Sequence, residues 1–401
     1  MHEIFFFLLL VLLPTQLGYH LWPDWALVLG RRVDYLSPTL YVTDILIFFI
    51  ILLWLFEIRK RKKTIKFYFP FFLFILFIPF NIYFAANRTV ALFAWIKMSE
   101  FVALGWYIVE TKPKLPDIIF PLSIGVLYSS LIAIIQFLLQ HSIGGPLWFL
   151  GERTFTVNTP GIARVDFHYS LFTVHYSLFK LRSYATFPHP NVLGGYLAVL
   201  LPAILQYSNT PIIKLSNTKK IFFITTIFLG ILTLALTFSR SAWIVFVFGI
   251  SYLVFQKKKK LFFPILCFVI LCIFVVGKTF GFQDESVVVR GQLNSAAVSM
   301  IAASPIIGNG LGNFLVRLPD YLVSRTIYFL QPVHNIYLLL LSETGIAGFL
   351  IFLWILWKAA RNKISMSLCA ILLLGFVDHY FFTLQQGQLL FTVFLSLSLV
   401  Q

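Results

Sequence analysis

Residues 117–140 read DIIFPLSIGVLYSSLIAIIQFLLQ, a run of 24 residues in which Asp117 is the single charged side chain. A helix of about 20 apolar residues is long enough to cross the hydrocarbon core of a bilayer. Similar runs recur along the 401 residues, although several are short or interrupted. Together with this one they number twelve, at residues 4–20, 39–56, 67–85, 89–109, 117–140, 191–207, 221–238, 241–256, 261–277, 334–356, 364–381 and 384–400.

The composition leads to the same class of protein. Hydrophobic residues make up 59% of the chain and charged residues only 11%, about half the charged share of a soluble domain. A soluble protein of this size has no core that could bury so much apolar surface, so a cytosolic enzyme, a disordered chain and a disulfide scaffold are excluded. The sequence predicts an all-α polytopic membrane protein with about 12 transmembrane helices. Residues 1–401 would form a single integral membrane domain.

The basic residues predict the orientation of these helices. The formal net charge is +16, with 31 Lys and Arg against 15 Asp and Glu. Eighteen of the basic residues, fifteen of them lysine, fall in alternate loops, and the densest group lies at residues 59–66. The positive-inside rule places this side in the cytoplasm, together with both termini. Because the charge follows the topology of a multi-pass membrane protein, nucleic acid is not expected as a partner.

The opposite side is rich in arginine, with ten Arg and two Lys. It also carries the two long loops, an outer loop at 141–190 and a large outer loop with short helices at 278–333. The planar guanidinium suits bidentate contacts with phosphate or carboxylate, so these loops predict chemistry on the outer face. Alternatively, the arginines contact lipid headgroups or pair with loop acids such as Glu152, Asp166 and Asp284.

Three polar segments lie where a predicted helix begins on the outer side. They are residues 182–191, residues 239–241 and residues 334–335. A helix N-terminus presents free backbone N–H groups and the positive end of the helix dipole, both of which favour anions. The three segments therefore predict a site for a phosphate group. His189, between two prolines, is interpreted as part of a rigid turn before the helix.

The tenth run gives the most detailed local prediction. In a regular helix, Gly345 would lie about 16 Å deeper than His334 on nearly the same face. Gly345 and Gly348 are interpreted as positions of close helix packing, so that His334 faces the protein and can act as a base near neutral pH. Glu343 lies on the opposite face and needs a partner in the membrane, for which Lys97 is the candidate.

The chain contains no GxxxxGK[ST] loop, no DxD pair, no HExxH motif and no Cys/His cluster. These absences argue against an ATP-driven pump and against a metal-dependent transferase. Neither a metal nor another cofactor is predicted.

The polar segments resemble motifs of the bacterial O-antigen ligase family and its relatives, the Wzy-type O-antigen polymerases. His334-Asn335, followed after nine residues by Gly345 and Gly348, resembles the HN-x9-GxxG signature. Ser239-Arg240-Ser241 and the stretch 182–191 match two further segments of the family in order and spacing.

A fourth segment strengthens the resemblance, which covers residues 180 to 400 well and the N-terminal half by helix pattern alone. Arg290 is followed at 304–314 by SPIIGNGLGNF, similar to the family's P-x-x-G-x-G-x-x-N-F element. One small departure is at 185–187, where Ala-Thr-Phe stands in place of the family's Gly-Thr-Phe.

The resemblance implies a GT-C-like glycosyltransferase architecture and an inverting, metal-independent reaction. The donor would be a glycan on undecaprenyl pyrophosphate, and the site would face outward from the cytoplasmic (inner) membrane. By resemblance, Arg182 and Arg240 would bind the pyrophosphate and His334 would take the proton from the acceptor hydroxyl. The supporting residues would be Ser239, Ser241, Asn191, Asn335, Arg290, Gly345 and Gly348.

The sequence leaves two questions of function open. Ligases and polymerases share these motifs, so the acceptor can be a growing glycan, a lipid such as lipid A-core, a protein or a wall polymer. In a different class of function, the arginines would bind the phosphate of a lipid-linked glycan that a flippase or exporter moves without reaction. The repeated halves typical of many transporters are not visible in the sequence.

Overall fold

The computed structural model describes residues 1–60, 69–171, 174–208, 216–257, 285–322 and 330–400. Most of this part of the chain is helical. Its α-helices are α1 His2–Val11, α2 Val42–Lys60, α3 Phe69–Tyr83, α4 Arg88–Thr111, α5 Leu115–Leu139, α6 Pro190–Ser208, α7 Asn217–Leu236, α8 Arg240–Lys257, α9 Glu285–Ala303, α10 Phe314–Tyr321, α11 Ile336–Lys363, α12 Met366–Leu374, α13 Tyr380–Thr383 and α14 Gln385–Val400.

Sheet is confined, within the described residues, to three small antiparallel hairpins. They pair β1 Gly18–His20 with β4 Thr39–Tyr41, β2 Leu27–Val28 with β3 Arg31–Arg32, and β5 Arg164–Leu171 with β6 Val174–Leu181. The β5–β6 hairpin lies in the predicted loop 141–190. The predicted loop 278–333 contains α9 and α10, and α9 is longer than the short helices expected there, with 19 residues.

Five of the described helices are long and apolar enough to cross a membrane, namely α4, α5, α6, α7 and residues 336–362 of α11. Helices α1, α8 and α14 contain shorter apolar segments. The structure is therefore that of a helical membrane protein, as predicted, although these five helices fall short of the 12 predicted spans. The predicted run at 261–277 lies outside the described residues.

In two of the predicted apolar runs, the helix ends before the run of apolar residues does. The run at 4–20 is helical only to Val11, because Pro14 has no N–H to continue the helix, and its last residues form β1. The run at 364–381 is helical to Leu374 and then turns at Gly375, before the short helix α13 begins at Tyr380.

Helix α6 lies at the centre of the main hydrophobic core and is buried over nearly its whole length. It packs against α5, α7, α8 and α12. Gly195 has no space for a side chain, because a Cβ there would collide with the Tyr380 hydroxyl. This close approach brings α13 and the preceding turn against the start of α6.

Helix α11 is kinked at Gly345, where the backbone has φ +62° and ψ −170°. The loop from Ser304 to Gly312 inserts at the kink, with Ile346 N donating to Pro305 O at 2.8 Å and Ala347 N to Ile306 O at 3.1 Å. The regular helix assumed from the sequence therefore ends before Gly345. Close packing at this glycine is nevertheless real, since a Cβ would collide with the Ile306 carbonyl.

The predicted partner of Glu343 is wrong. Its carboxylate accepts a hydrogen bond from Phe314 N at 3.2 Å and so holds the start of α10 against α11. Lys97 instead forms ion pairs with Asp44 at 2.8 Å and with Glu100 at 3.0 Å. The sequence spacing could not show that the loop would supply backbone N–H groups to Glu343.

Candidate active site

The most conspicuous polar group in the described chain is a cluster of His334, Asp378 and His379. His334 Nδ1 lies 3.3 Å from Asp378 Oδ1, within ion-pair distance. This Nδ1 is buried and has no hydrogen-bond partner in good alignment among the described residues. His334 Nε2, on the other side of the ring, lies 3.5 Å from Gln331 Oε1. The carboxylate therefore orients the ring through Nδ1 and leaves Nε2 directed away from it.

Asn335 explains how His334 is brought to this position. Its Oδ1 caps α11 by accepting hydrogen bonds from Tyr337 N at 2.9 Å and Leu338 N at 3.0 Å. Its Nδ2 donates to Phe376 O at 3.2 Å. Ile336 N donates to Gly375 O at 2.8 Å. The start of α11 is thus bound to the 375–379 turn, which carries Asp378.

His379 packs behind His334, with ring centroids 4.9 Å apart in an edge-to-face arrangement. Its Nδ1 lies 2.7 Å from Thr383 Oγ1, and its backbone N–H donates to Asp378 Oδ1 at 3.0 Å. Burial lowers the pKa of His379 to about 3, so the ring is neutral at physiological pH. His379 therefore supports the cluster without adding a charge to it.

Asp378 is ionised in this environment. Burial alone would raise the pKa of its carboxyl group, but the adjacent His334, together with His379 and Arg290, outweighs burial and lowers the pKa to about 2. Arg290 also reaches the turn itself, with Nη1 3.4 Å from Val377 O. The predicted residues Arg290 and His334 thus both lie near the carboxylate of Asp378, which was not among the predicted site residues.

Arg182 lies where the chain enters α6. Its Nε donates to Thr237 O at the end of α7, and its Nη2 donates to Asn191 Oδ1, both at 2.7 Å. Burial lowers the pKa of Arg182 to about 10, with a smaller contribution from the charge of Arg240, and the group remains protonated at neutral pH. Among the described residues, no acidic side chain forms an ion pair with Arg182.

Arg240 occupies the joint between α7 and α8. Phe238 has φ +50° in this joint, and Ser239 and Ser241 lie on either side of Arg240 with their Oγ atoms 3.4 Å apart. The charge of Arg240 helps to lower the pKa of Arg182, and the charge of Arg290 helps to lower the pKa of Arg240. Three arginines that are far apart in sequence therefore form one positive region.

His189 lies between this positive region and the His334 cluster. Its Nδ1 accepts a hydrogen bond from Asn191 N at 3.1 Å, so the single ring proton of the neutral imidazole is on Nε2. Burial, with a further contribution from Arg182, lowers the pKa of His189 to about 3. The sequence predicted only that His189 belongs to a rigid turn. In the structure His189 also lines a cavity.

This cavity has a volume of about 750 Å³, within the range of ~300–1,000 Å³ typical of ligand sites. Residues from segments that are far apart in sequence line it, including Arg153, His189, Asn191, His334 and Asp378. The side chains of Arg182, Arg240 and Arg290 do not line it. Asn191 therefore belongs to both regions, since it lines the cavity and binds Arg182.

The alternative that the outer arginines pair with acidic residues of the loops does not hold for Glu152. Its carboxylate accepts hydrogen bonds from Gln136 Nε2 and from the backbone N–H groups of Ile143 and Gly144, all at 2.7 Å. Arg153, next to it in sequence, donates to Pro188 O at 2.6 Å. The side chain of Asp166 and the whole of Asp284 lie outside the described residues.

The structure brings most of the predicted residues together and adds two that were missed. The pairing of His334 with Asp378 connects the start of α11 to Arg290, and Asn191 connects Arg182 to the cavity. Gly345 and Gly348 lie deeper in α11 and pack against neighbouring segments. Asp378 and His379 were hidden in the apolar run 364–381, although an Asp-His pair inside such a run is itself a signal of function.

Comparison with known proteins supports one family. Residues 225–353 match the family model described as O-antigen ligase (Wzy_C). A search of curated proteins and a search of solved structures found no match to the chain. The matched segment includes Arg240, Arg290, His334 and Gly345, which belong to three of the four segments that carry the resemblance, whereas the stretch 182–191 lies outside it. Over residues 225–353, the chain is similar to the O-antigen ligase family, in agreement with the resemblance seen in the sequence.

Proposed function

We propose that the chain is a membrane glycosyltransferase that moves a glycan from undecaprenyl pyrophosphate to an acceptor hydroxyl group. The observation that carries the proposal is the pairing of His334 with Asp378 at a cavity bordered by a region of three arginines. The proposal includes a GT-C-like arrangement of about 12 transmembrane helices in the cytoplasmic membrane. Both termini would be cytoplasmic and the site would lie on the outer face.

In the proposed reaction, Asp378 positions the His334 ring and His334 Nε2 takes the proton of the acceptor hydroxyl. The acceptor oxygen forms a bond to the anomeric carbon while the bond from that carbon to the pyrophosphate oxygen breaks. Attack from the side opposite the leaving group inverts the anomeric configuration. A base near hydrogen-bond distance of the hydroxyl typically contributes about 10²–10⁴-fold to the rate of such a step.

The arginines act on the leaving group. Undecaprenyl pyrophosphate departs with the bonding electron pair, and Arg182 and Arg240 would stabilise the negative charge that develops on it. Arg182 suits this role because its guanidinium is charged, is held by Thr237 and Asn191, and has no acidic partner in the described part of the chain. Arg290 and the serines beside Arg240 would support the same anion.

The first test reconstitutes the purified chain in liposomes with a lipid-linked glycan and candidate acceptors. We expect the glycan to leave undecaprenyl pyrophosphate and appear covalently on the acceptor, as measured by mass spectrometry. A flippase would leave both molecules chemically unchanged, and that result would contradict the proposal. Products that contain longer glycans would indicate a polymerase, whereas attachment to a lipid, protein or wall polymer would indicate a ligase.

A metal ion is a competing use of the same cluster, because His334, Asp378 and His379 offer ligand atoms within 4.8 Å of one another. A bound metal would occupy His334 and remove it as a base. We therefore predict that treatment with EDTA leaves the transfer rate unchanged to within about twofold, and that added Zn²⁺ lowers it. Loss of transfer in EDTA, with recovery after a divalent metal is restored, would show that the cluster holds a metal instead.

A further inference from the structure

We propose that the Lys97 end of the cavity is a binding subsite for the hydroxyl groups of a sugar, formed by Lys97 and Gln385, which line the cavity and which Asp44 contacts from outside the lining. This inference rests on the proposed glycosyl transfer and names the part of a substrate that would fill the cavity. The pyrophosphate would lie elsewhere, in the region of Arg182 and Arg240. The sugar belongs either to the donor glycan or to a glycan acceptor, and the two sources have the same chemistry.

The cavity extends along one face of α4. Val90, Phe93, Ala94, Lys97 and Met98 line it, a spacing of three and four residues that corresponds to one helix face. Lys97 lies seven residues beyond Val90, which is about 10 Å along the helix axis. The cavity is therefore deep enough to reach from the start of α4 to a polar group in the interior of the helix.

That polar group is a network across three helices. Lys97 Nζ contacts Asp44 Oδ1 at 2.8 Å and Glu100 Oε2 at 3.0 Å. Gln385 Nε2, at the start of α14, donates to Thr43 Oγ1 at 2.9 Å and also to Asp44. Such groups inside a membrane protein are costly unless they are paired or serve a ligand.

Two acceptor atoms of this network have no hydrogen-bond partner among the described residues. Gln385 is 3% exposed and its Oε1 receives no hydrogen bond, although the residue lines the cavity. Glu100 Oε1 is likewise buried without a donor. A buried amide oxygen left unpaired is destabilising. A hydroxyl group that enters the cavity and donates to Gln385 Oε1 would remove this cost.

The lining favours a sugar over the other parts of the proposed substrates. Two carboxylates already pair with Lys97, so this end of the cavity would repel a pyrophosphate. An apolar polyprenyl chain would leave Gln385 and its neighbours Gln386 and Gln388 without ligand hydrogen bonds. Sugar hydroxyls both donate and accept, and the aromatic ring of Tyr41, which also lines the cavity, offers an apolar face to a pyranose ring.

The experiment compares two ligand classes on the full-length chain in lipid nanodiscs. The sugar probes are free glucose, galactose, mannose, rhamnose and N-acetylglucosamine, observed by saturation-transfer NMR. The second probe is undecaprenyl pyrophosphate without a glycan. We expect at least one sugar to bind, and we expect Gln385→Met to weaken that binding at least tenfold. Arg182→Ala should weaken binding of undecaprenyl pyrophosphate and leave sugar binding unchanged.

Gln385→Met keeps the length of the side chain, whereas a change at Lys97 would leave two carboxylates unpaired and endanger folding. Gln206→Met, an exposed glutamine at the far end of α6, is the matched control. Thermal unfolding of each variant confirms that it is folded. Absence of binding by every sugar in the panel, or sugar binding that folded Gln385→Met retains in full, would overturn the subsite.

The two sources of the sugar are separated by competition. Displacement of the bound sugar by a lipid-linked glycan, but not by undecaprenyl pyrophosphate alone, assigns the subsite to the donor. Displacement only by a glycan acceptor assigns it to the acceptor. Failure of the proposed function can be distinguished from failure of the subsite. If only the function fails, sugars still bind in a manner that depends on Gln385, but the reconstituted chain transfers no glycan.

Discussion

Alanine at position 334 is expected to lower the rate of glycan transfer by about 10²–10⁴-fold, because it removes the base that accepts the proton of the acceptor hydroxyl. His379 cannot substitute for it, since its side chain is buried and its Nδ1 contacts the Thr383 hydroxyl. The measurement is the initial rate of product formation in liposomes that contain the purified variant, with saturating lipid-linked glycan and acceptor.

The effect of His334→Ala should be confined to the chemical step. Binding of undecaprenyl pyrophosphate should change little, because the side chains that would bind it lie on other segments of the chain. His141→Ala provides a matched control, as His141 is an exposed histidine whose ring contacts only the neighbouring Ser142 carbonyl in the described structure. Full transfer by His334→Ala would exclude the role of His334 as the base.

The sequence located many of the helices closely, since a long apolar run has few alternatives to a helix in a membrane. The predicted run 117–140 is helix α5 at Leu115–Leu139, and the run 191–207 is helix α6 at Pro190–Ser208. It failed where hydrophobicity continued beyond a helix. Pro14 ends α1 within the run 4–20, and the strand that follows depends on pairing with residues 39–41, which the local sequence cannot indicate.

The candidate site was predicted only in part, for a similar reason. Polar residues at helix starts, such as Arg182 and His334, stand out in an apolar chain and can be recognised locally. The position of Asp378 cannot be recognised in this way, because it depends on a turn within the apparent run 364–381. Hydrogen bonds from the start of α11 to Gly375 and Phe376 hold that turn in place. These contacts are tertiary, and residue spacing along one segment does not encode them.

Replacement of Asp378 by asparagine is expected to lower the transfer rate by roughly 10²–10⁴-fold while the chain remains folded. In the proposed mechanism, the Asp378 carboxylate, 3.3 Å from His334 Nδ1, favours the tautomer with its proton on Nδ1 and so leaves Nε2 as the proton acceptor. An asparagine amide can instead donate to Nδ1, which favours the tautomer with its proton on Nε2 and blocks the base. Because the pKa of Asp378 is about 2, the deficit should persist at every pH above about 4.

This prediction separates a positioning role of Asp378 from a purely structural one. A structural role predicts a lower melting temperature with a normal rate per folded molecule, whereas the positioning role predicts a lower kcat and little change in KM. Asp378→Glu, which retains the negative charge, should recover part of the rate. Asp320→Asn is the control, because Asp320 pairs with Arg317 in an exposed ion pair on α10. A folded Asp378→Asn chain with the rate of the unsubstituted protein would show that His334 does not depend on this carboxylate.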